Sequence, residues 1–264
     1  MEKVCVLIPS YNSEYDDLKK TILSIPKYIH TIIVDDGSYI PVTNKIKDYC
    51  DGFDNIKVLR LEKNVGIEEA LNYGVNSIID DYEYIARLDV GDVSGPERFI
   101  SQVEIMDKHT DLVLIGTWAE FVNKNGEVLF IRKVPIEDNT IRKQMYLNNM
   151  FIHPSVIMRS SALKVVGGYR KKYIACEDYD LFFRLMKVGK VANIGRPLLV
   201  YEVDEKSISS QKRKIQVYNR LKIILDNFTF CKHGLFPYYG VIRSVLLLLV
   251  NRNITMTIRK FIGK

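Results

Sequence analysis

The stretch Tyr84-Ile85-Ala86-Arg87-Leu88-Asp89-Val90-Gly91-Asp92 decides the fold class of this chain. Its apolar part ends at Leu88, and carboxylates follow at once. That order is typical of a buried strand that delivers acidic groups to the carboxyl edge of a parallel sheet, where open α/β folds bind ligands. Carboxylates at such an edge suit a hard divalent cation that bridges a protein to phosphates. A strand end followed by an Asp-rich turn explains the same residues, because Asp is a common turn residue.

Further strands and helices alternate on both sides of this stretch. Apolar runs predict strands at residues 4–8, 31–34, 56–61 and 84–88, and the stretch 65–79 predicts a helix. Such alternation implies a parallel sheet with right-handed crossovers. Further downstream, the pattern predicts helices over residues 97–108, 137–148 and 178–188, a hairpin over 112–134, and a helical, basic region from residue 209 onward.

Composition places the chain among soluble globular proteins. It has 264 residues, of which 47% are hydrophobic and 27% charged, enough for one large domain or a domain with an appendage. The four cysteines contain no CxxC pair, which argues against a zinc site and fits a reducing cytosol. The first residues run directly into a strand, so we expect no signal peptide.

Charge is distributed unevenly along the chain. Residues 206–264 contain 12 Lys or Arg and one acidic residue, Asp226, whereas the remainder has 26 basic and 31 acidic residues. A basic tail on a slightly acidic body indicates an anionic partner. The longest apolar run, residues 244–250, is about a third of the ~20 residues that span a bilayer. We therefore expect the tail to lie on an anionic membrane surface through basic and apolar side chains. The alternative is a helix that packs on the domain with solvated charges.

Polar clusters follow three of the predicted strands, at residues 9–12, 35–38 and 89–92. The ends of parallel strands share one edge of the sheet, so these clusters can line one crevice. The first cluster lacks the GxGxxG of a dinucleotide fold, which disfavours a hydride-transfer enzyme. Tyr11 could stack on a base, and Asp36 could accept the imide N–H of uracil. A packing aromatic and a turn Asp are the structural explanations of these two residues.

A second group of candidates lies downstream. His153 precedes an apolar run, residues 167–170 form a turn, and Glu177 and Asp178 open the predicted helix 178–188. Carboxylates interact favourably with a helix N-terminus, which is their structural explanation. The functional one is a general base that removes a proton from an acceptor hydroxyl. Taken alone, His153 is a structural histidine by default.

Seven sequence motifs, in this order, carry a resemblance to a known family. They are Val6-Leu7-Ile8-Pro9-Ser10-Tyr11-Asn12, Ile33-Val34-Asp35-Asp36-Gly37-Ser38, Asn64-Val65-Gly66 with Ala70-Leu71-Asn72, Ala86-Arg87-Leu88-Asp89-Val90-Gly91-Asp92, Pro96-Glu97-Arg98-Phe99 with Gln102, His153-Pro154-Ser155-Val156, and Glu177-Asp178-Tyr179-Asp180-Leu181. Over roughly residues 3–202 the chain resembles the family 2 glycosyltransferases, which are inverting enzymes that use nucleotide-activated sugars. The resemblance implies an α/β GT-A fold, with a Rossmann-like, mostly parallel sheet flanked by helices.

The resemblance also implies roles for individual residues. The nucleotide side would comprise Pro9, Tyr11, Asn12, Asp36, Asn64 and Asp89. Asp89 to Asp92 matches the DXD motif that holds Mn²⁺ or Mg²⁺ on the diphosphate, His153 matches a histidine near the diphosphate and acceptor, and Asp178 matches the catalytic base, with Glu177 beside it. The expected reaction moves a sugar from a UDP-sugar to a hydroxyl of a growing, lipid-linked glycan, as in O-antigen, capsule or exopolysaccharide assembly.

The expected organisation is a glycosyltransferase domain over residues 1–205, with a nucleotide-sugar half (about 1–95) and an acceptor half (about 96–205). Residues 206–264 would form a helical basic extension. We expect the protein in the cytoplasm, peripheral on the inner face of the membrane, and we do not expect nucleic acid as a partner.

One position departs from the family pattern, which usually reads Asp-x-Asp-Asp. Gly91 occupies the position most often assigned to metal ligation, so Asp92 would take over, helped by the flexibility of glycine. The departure leaves open a nucleotide-sugar-binding pseudoenzyme or assembly partner. A sugar nucleotidyltransferase is a further alternative, but residues 9–12 are not the Gly-rich, basic phosphate loop that it would need.

Overall fold

The computed structural model describes residues 3–50, 54–203 and 213–249. The strands are β1 Val4–Ser10, β2 His30–Asp35, β3 Ile56–Arg60, β4 Tyr84–Arg87, β5 Val93–Ser94, β6 Leu112–Val122, β7 Val128–Arg132, β8 Ile157–Arg159 and β9 Lys190–Glu202. The helices are α1 Tyr15–Leu23, α2 Val42–Cys50, α3 Ile67–Ile78, α4 Arg98–Lys108, α5 Asp138–Gln144, α6 Ser160–Val166, α7 Glu177–Val188, α8 Arg213–Asp226 and α9 Phe236–Leu249. Two single 3₁₀ turns cover His153–Ser155 and Lys171–Tyr173.

The strands form one sheet in the order β3-β2-β1-β4-β8-β6-β9-β5, with β7 paired to β6. Strands β1 to β4 are parallel to one another, as the alternating pattern predicts. β8 then runs antiparallel to β4 and β6, and β9 runs parallel to β6. The α/β fold expected from the sequence is therefore confirmed, and the carboxyl ends of β1, β2 and β4 lie at one edge.

Alternate residues of the strands supply the cores on the two faces of the sheet. Cys5 and Leu7 of β1 face one core, which also contains apolar residues of α3 and α7, while Val6 and Ile8 face the other, with residues of α1 and α4. Burying each large apolar side chain stabilises the fold by about 1.5–3 kcal/mol. Gly74 of α3 permits the close approach of that helix, because a Cβ there would lie 2.3 Å from a methyl of Leu7.

Several elements were not predicted from the sequence. α2 is short and largely polar, β8 has three residues, and β9 contains Gly195 and Pro197 where its pairing with β6 is irregular. None of them carries a long apolar period, which is the primary signal in a sequence. The helix predicted at 137–148 is shorter and ends at Gln144.

The helices after residue 212 pack on the rest of the chain. Ile223 and Ile224 of α8 are fully buried in the core that contains α7, and Asn219 donates to the carbonyl of Ile174 at 2.9 Å. In α9, Gly240 lies against Tyr146, where a Cβ would come within 2.3 Å of the carbonyl oxygen. The outer face of α9 exposes apolar side chains, among them Ile242, Leu246 and Leu249. No helix within residues 3–50, 54–203 and 213–249 has the length and hydrophobicity to cross a bilayer.

Candidate active site

The loops that follow β1 and β2 are tied together at the carboxyl edge of the sheet. Asn12 adopts a left-handed conformation with φ of 50°, which few non-glycine residues do. Its backbone N–H donates to Ser38 Oγ at 2.9 Å, and its Oδ1 accepts from the N–H of Tyr39 at 2.9 Å. Pro9 is half-buried, whereas Tyr11 is 46% exposed.

Asp36 shapes the loop between β3 and α3. Its carboxylate accepts hydrogen bonds from the N–H groups of Val65 (2.8 Å) and Gly66 (3.1 Å) and from Asn64 Nδ2 (3.0 Å). Gly37 has φ of 69°, and a Cβ there would overlap the backbone of Lys63 at 2.4 Å. The structure thus brings Asn64 to Asp36. Among the described residues one hydrogen bond reaches Asp36 Oδ1, so that oxygen can accept from a further donor.

Two buried arginines support the end of β4. Arg87 is fully buried, and its guanidinium donates to Asp89 Oδ1 at 2.5 Å and to the carbonyl of Leu88 at 2.6 Å. Arg98, also fully buried, donates to the carbonyl of Arg87 at 2.6 Å and to Gln102 Oε1 at 3.2 Å. Since buried charges need partners, this network fixes the direction of the Asp89 carboxylate.

The carboxylates of the candidate metal site differ in exposure. The side chain of Asp89 is 36% exposed, whereas Asp92 is buried. Asp92 Oδ1 accepts from the N–H of Glu202 at 3.2 Å, and Oδ2 has no hydrogen-bond partner within the part of the chain that the structure describes. Burial, and then the charge of Asp89, raise the pKa of Asp92 well above its ordinary value. Gly91 has φ of 99°, and a Cβ there would meet nothing within 4 Å.

These two carboxylates fit a divalent cation only in part. A cation would offset the charge that burial penalises on Asp92 and would engage its orphaned oxygen, and carboxylate oxygens are the ligands that Mg²⁺ and Mn²⁺ prefer. Among the described residues, no three His, Cys, Asp or Glu side chains are grouped so as to hold a metal. Phosphates and water would therefore supply the remaining ligands.

Asp178 lies at the first turn of α7, behind a strained residue. Ala175 has φ of 61°, an unfavourable conformation for a residue with a Cβ, and it directs the chain into the helix. Asp178 Oδ2 accepts from Asn149 Nδ2 at 2.8 Å, and Oδ1 accepts from the N–H of Tyr179 at 2.7 Å. The neighbouring Glu177 has a buried Oε2 that meets no hydrogen-bond partner among residues 3–50, 54–203 and 213–249. Asp178 is thus positioned through both of its carboxylate oxygens.

His153 is held by Tyr169. Its Nε2 lies 2.8 Å from the Tyr169 hydroxyl. The backbone of Tyr169 is fixed in turn by Asn72, which accepts from its N–H at 2.8 Å and donates to its carbonyl at 2.9 Å. Burial, and then the positive charge of Arg87, lower the pKa of His153 to about 3, so the imidazole is neutral at physiological pH and acts through hydrogen bonds.

The upstream and downstream candidate groups lie close enough to act on one another electrostatically. The charge of Asp89 acts on His153 and Asp178. Burial raises the pKa of Asp178, and burial together with the charge of Asp178 raises the pKa of Glu177 to about 8. A carboxylate whose pKa is raised toward neutrality is a stronger base when ionised, which is what a general base requires.

Sequence reasoning assigned no role to the residues that position these groups. Asn72, Arg98 and Gln102 stood in the quoted motifs, but only the structure shows what they contact. Asn149 and Tyr169 carried no sequence signal for their contacts with Asp178 and His153. A single polar residue in a loop has the same local sequence pattern whether or not its side chain contacts a residue that is distant in the sequence.

Comparisons with solved structures identify related folds. The chain superposes on residues 1–349 of Staphylococcus aureus TarS in complex with UDP-GlcNAc with a TM-score of 0.68 and 19% identity, covering 92% of this chain and 71% of that one. It superposes on the mannosyltransferase PcManGT of Pyrobaculum calidifontis, in complex with GDP-Man and Mn²⁺, with a TM-score of 0.65 and 13% identity, covering 93% and 69%. At such identities the likeness concerns the fold, which is the GT-A fold.

Sequence comparisons identify the family. The chain is 28% identical over 259 residues to the amylovoran biosynthesis glycosyltransferase AmsE of Erwinia amylovora, covering 92% of this chain and 93% of that protein. It is 28% identical over 234 residues to the UDP-Gal:alpha-D-GlcNAc-diphosphoundecaprenol beta-1,3-galactosyltransferase of Escherichia coli, covering 88% and 83%. The model of glycosyl transferase family 2 matches residues 5–167. The chain, with its strand-end carboxylates and its candidate base, belongs to glycosyl transferase family 2.

Proposed function

We propose that this family member transfers a sugar from a UDP-sugar to a hydroxyl of a glycan acceptor, with inversion at the anomeric carbon. The observation that carries the proposal is that Asp89, after β4, and Asp178, at the start of α7, lie close enough for the charge of Asp89 to act on Asp178. In a direct displacement, the donor diphosphate and the acceptor hydroxyl have to bind next to each other, here between Asp89 and Asp178.

The nucleoside would bind at the ends of β1 and β2. Tyr11 has an exposed side chain, and Asp36 is held rigidly by three hydrogen bonds next to Asn64, with Pro9 and Asn12 completing this wall. An Asp36 oxygen that accepts the imide N–H would select uracil over cytosine, which lacks that donor. The galactosyltransferase relative is named for UDP-Gal and the TarS complex contains UDP-GlcNAc, which supports a UDP-linked donor.

Asp178 would act as the general base of the reaction. Its carboxylate takes the proton of the acceptor hydroxyl while the acceptor oxygen forms a bond to the anomeric carbon, and the bond from that carbon to the phosphate oxygen breaks. The bonding electrons leave with UDP. Asn149 and the N–H of Tyr179 hold the carboxylate in place, so little reorganisation is needed at the moment of transfer. Neutral His153, oriented by Tyr169, would hydrogen-bond the substrates close to Asp89.

A divalent cation would be held by Asp89 and Asp92. Bound there, Mn²⁺ or Mg²⁺ would offset the negative charge that grows on the leaving diphosphate. The structure of PcManGT contains Mn²⁺, which supports a metal in this fold. Because Gly91 contributes no carboxylate, we propose that Asp92 matters more than Asp89 for holding the cation, as its orphaned Oδ2 suggests.

The acceptor would be a lipid-linked glycan at the cytoplasmic face of the membrane. The Escherichia coli relative is named for a diphosphoundecaprenol acceptor. The exposed apolar face of α9 supports membrane contact. Part of the basic and apolar stretch to which the sequence assigned this contact, including Lys212 and the residues from 250 onward, lies outside the described residues. The division into a domain over 1–205 and an extension over 206–264 stays a prediction.

A second candidate is a nucleotide-sugar-binding pseudoenzyme, and Gly91 is the observation that favours it. The experiment that separates the two is a transfer assay with UDP-galactose and UDP-N-acetylglucosamine, Mn²⁺, and a panel of glycan acceptors, with release of UDP and formation of product both quantified. Product with wild-type protein and none with Asp178→Asn supports the enzyme. UDP binding without any product supports the pseudoenzyme.

A further inference from the structure

Two arginines meet beside the start of α7. Arg132, the last residue of β7, donates to the carbonyl of Asn149 at 3.2 Å, and Arg220 of α8 donates to Oδ1 of the preceding Asn148 at 2.5 Å. The guanidinium of Arg220 also lies over the ring of Tyr179, 5.6 Å from its centroid. These contacts fix two positive charges around one short segment, residues 148–149.

The same segment holds the proposed base. Asn149 donates through Nδ2 to Asp178 Oδ2 at 2.8 Å, so the two guanidiniums flank the place where the acceptor hydroxyl would be deprotonated. Both arginines are only partly buried. Arg87 differs from these two arginines, because it is fully buried and donates its hydrogen bonds to Asp89 and to backbone carbonyls.

Asp178 is the carboxylate whose charge acts on both guanidiniums. Over the described part of the chain, neither Arg132 nor Arg220 forms an ion pair, and Arg220 Nε is buried without any hydrogen-bond partner. Burial, opposed by Tyr201 and Asp178 and reinforced by the charge of Arg220, lowers the pKa of Arg132. The single charge of Asp178 does not neutralise two guanidiniums, and a planar guanidinium matches phosphate oxygens two at a time.

We propose that Arg132 and Arg220 form an anion subsite that binds a phosphate group of the acceptor, next to the hydroxyl that Asp178 deprotonates. This inference rests on the proposed glycosyl transfer. It implies that the sugar carrying the attacking hydroxyl is itself attached to phosphate. A lipid diphosphate and a phosphodiester of a polymer share this chemistry. The donor diphosphate does not account for the arginines, because their hydrogen bonds go to Asn148 and Asn149 on the acceptor side.

The first test compares acceptors that differ only in phosphate. One sugar is offered as its octyl glycoside, as its octyl phosphodiester and as its octyl diphosphate, to wild-type protein, Arg132→Gln and Arg220→Gln. We expect each variant to raise KM for the phosphate-bearing acceptors about tenfold or more, since a charge-assisted contact contributes about 1.5–3 kcal/mol and 1.4 kcal/mol is a factor of ten. We expect the KM for the octyl glycoside, which carries no phosphate, to stay within about threefold of wild type. Higher kcat/KM for the diphosphate indicates a lipid source, and the reverse order a polymer.

The matched control is Arg196→Gln, which removes the same charge from a surface pair with Glu97 and should change nothing. Arg132→Lys and Arg220→Lys keep the charge without the planar fork and should recover part of the KM. If the Gln variants instead lower kcat equally for all three acceptors and shift the pH profile of kcat, the arginines serve only to keep Asp178 ionised and the subsite is refuted.

The second test does not depend on transfer. Binding of inorganic pyrophosphate to protein saturated with UDP and Mn²⁺ is measured by calorimetry, so that the donor site is already filled. We expect binding to wild-type protein and Arg196→Gln, and its loss in Arg132→Gln and Arg220→Gln. Arginine-dependent binding in a protein that transfers no sugar would refute the proposed function and retain the subsite. Sugar transfer without arginine-dependent binding of pyrophosphate, and without a preference for phosphate-bearing acceptors, would refute the subsite and retain the proposed function.

Discussion

Replacing Asp178 by Asn removes the proposed base, and the structure predicts a second effect on stability. The carboxylate accepts from Asn149 Nδ2 and from the N–H of Tyr179. An amide at position 178 can still accept from Tyr179, but its NH₂ then faces the NH₂ of Asn149. If Asn149 flips, its Oδ1 no longer accepts from the N–H of Phe151, a bond of 3.1 Å. One hydrogen bond is lost either way, which costs about 1–3 kcal/mol in a buried setting.

The matched variant is the exchange Asp178→Asn with Asn149→Asp. It keeps the net charge and restores the donor–acceptor pattern, since the new carboxylate at 149 accepts from the amide at 178 and from the N–H of Phe151. We expect Asp178→Asn to lower kcat by about 10²–10⁴. The exchange variant should regain the lost stability in urea unfolding but not the lost kcat.

The assay for both variants is transfer of radiolabelled sugar under saturating donor, with UDP affinity measured by calorimetry as the control for the donor site. We expect UDP affinity to stay nearly unchanged in both. Transfer by Asp178→Asn at close to the wild-type rate would refute the role of Asp178 as base. Recovery of kcat by the exchange variant would show that the reaction needs a carboxylate in this pair and not one at position 178.

Further predictions concern the donor site, the metal, the pH dependence and the membrane. Asp36→Ala should weaken UDP binding about tenfold or more, and unchanged affinity in calorimetry would remove Asp36 from the nucleoside site. Excess EDTA should abolish transfer, whereas full activity in EDTA would mean that positive side chains alone stabilise the leaving group. Asp92→Asn should weaken Mn²⁺ binding more than Asp89→Asn does. Glu177 keeps its proton in the folded state up to about pH 8 but loses it near pH 4.5 in the unfolded chain, so the free energy of unfolding should fall as pH rises between these values. Glu177→Gln should reduce this dependence on pH in urea unfolding, and an unchanged dependence would mean that other groups cause it. Binding to anionic liposomes should weaken when Leu246 and Leu249 of the exposed α9 face are replaced by Ser, whereas equal binding to neutral and anionic liposomes by both proteins would exclude this membrane contact.

A truncation after Tyr201 would test this membrane contact less well than the substitutions in α9. Truncation would remove Ile223 and Ile224, which are buried in the core that contains α7. A loss of liposome binding would then report unfolding as much as the loss of a membrane-binding surface. Substitutions on the outer face of α9 leave that core intact, because those side chains are exposed.

The sequence was most informative where residues of one strand or helix carry the signal themselves. The apolar runs of β1, β2 and β4 and the spacing of Leu181, Phe182 and Leu185 in α7 predicted elements that the structure confirms to within about two residues. The parallel arrangement of those strands then placed the three polar clusters at one edge, because strand direction alone decides which ends share it.

The remaining structure depends on contacts between distant segments. The pairing of Asn149 with Asp178, and of Asn72 with Tyr169, joins residues 29 and 97 positions apart, and no local period encodes such a contact. β9 was missed because Gly195 and Pro197 interrupt its apolar pattern. The burial of Asp92 also escaped the sequence, because an Asp in a turn next to glycine looks like a solvent-exposed residue.

The central claim is a direct, inverting displacement assisted by Asp178. The most direct measurement is the anomeric configuration of the first-formed product, read by NMR from the coupling of the anomeric proton while an α-linked UDP-sugar is consumed. The account predicts a β-glycoside from the first turnover, with one UDP released for each bond formed. An α-glycoside would contradict it, because retention requires a different mechanism from a single displacement at a base-activated hydroxyl.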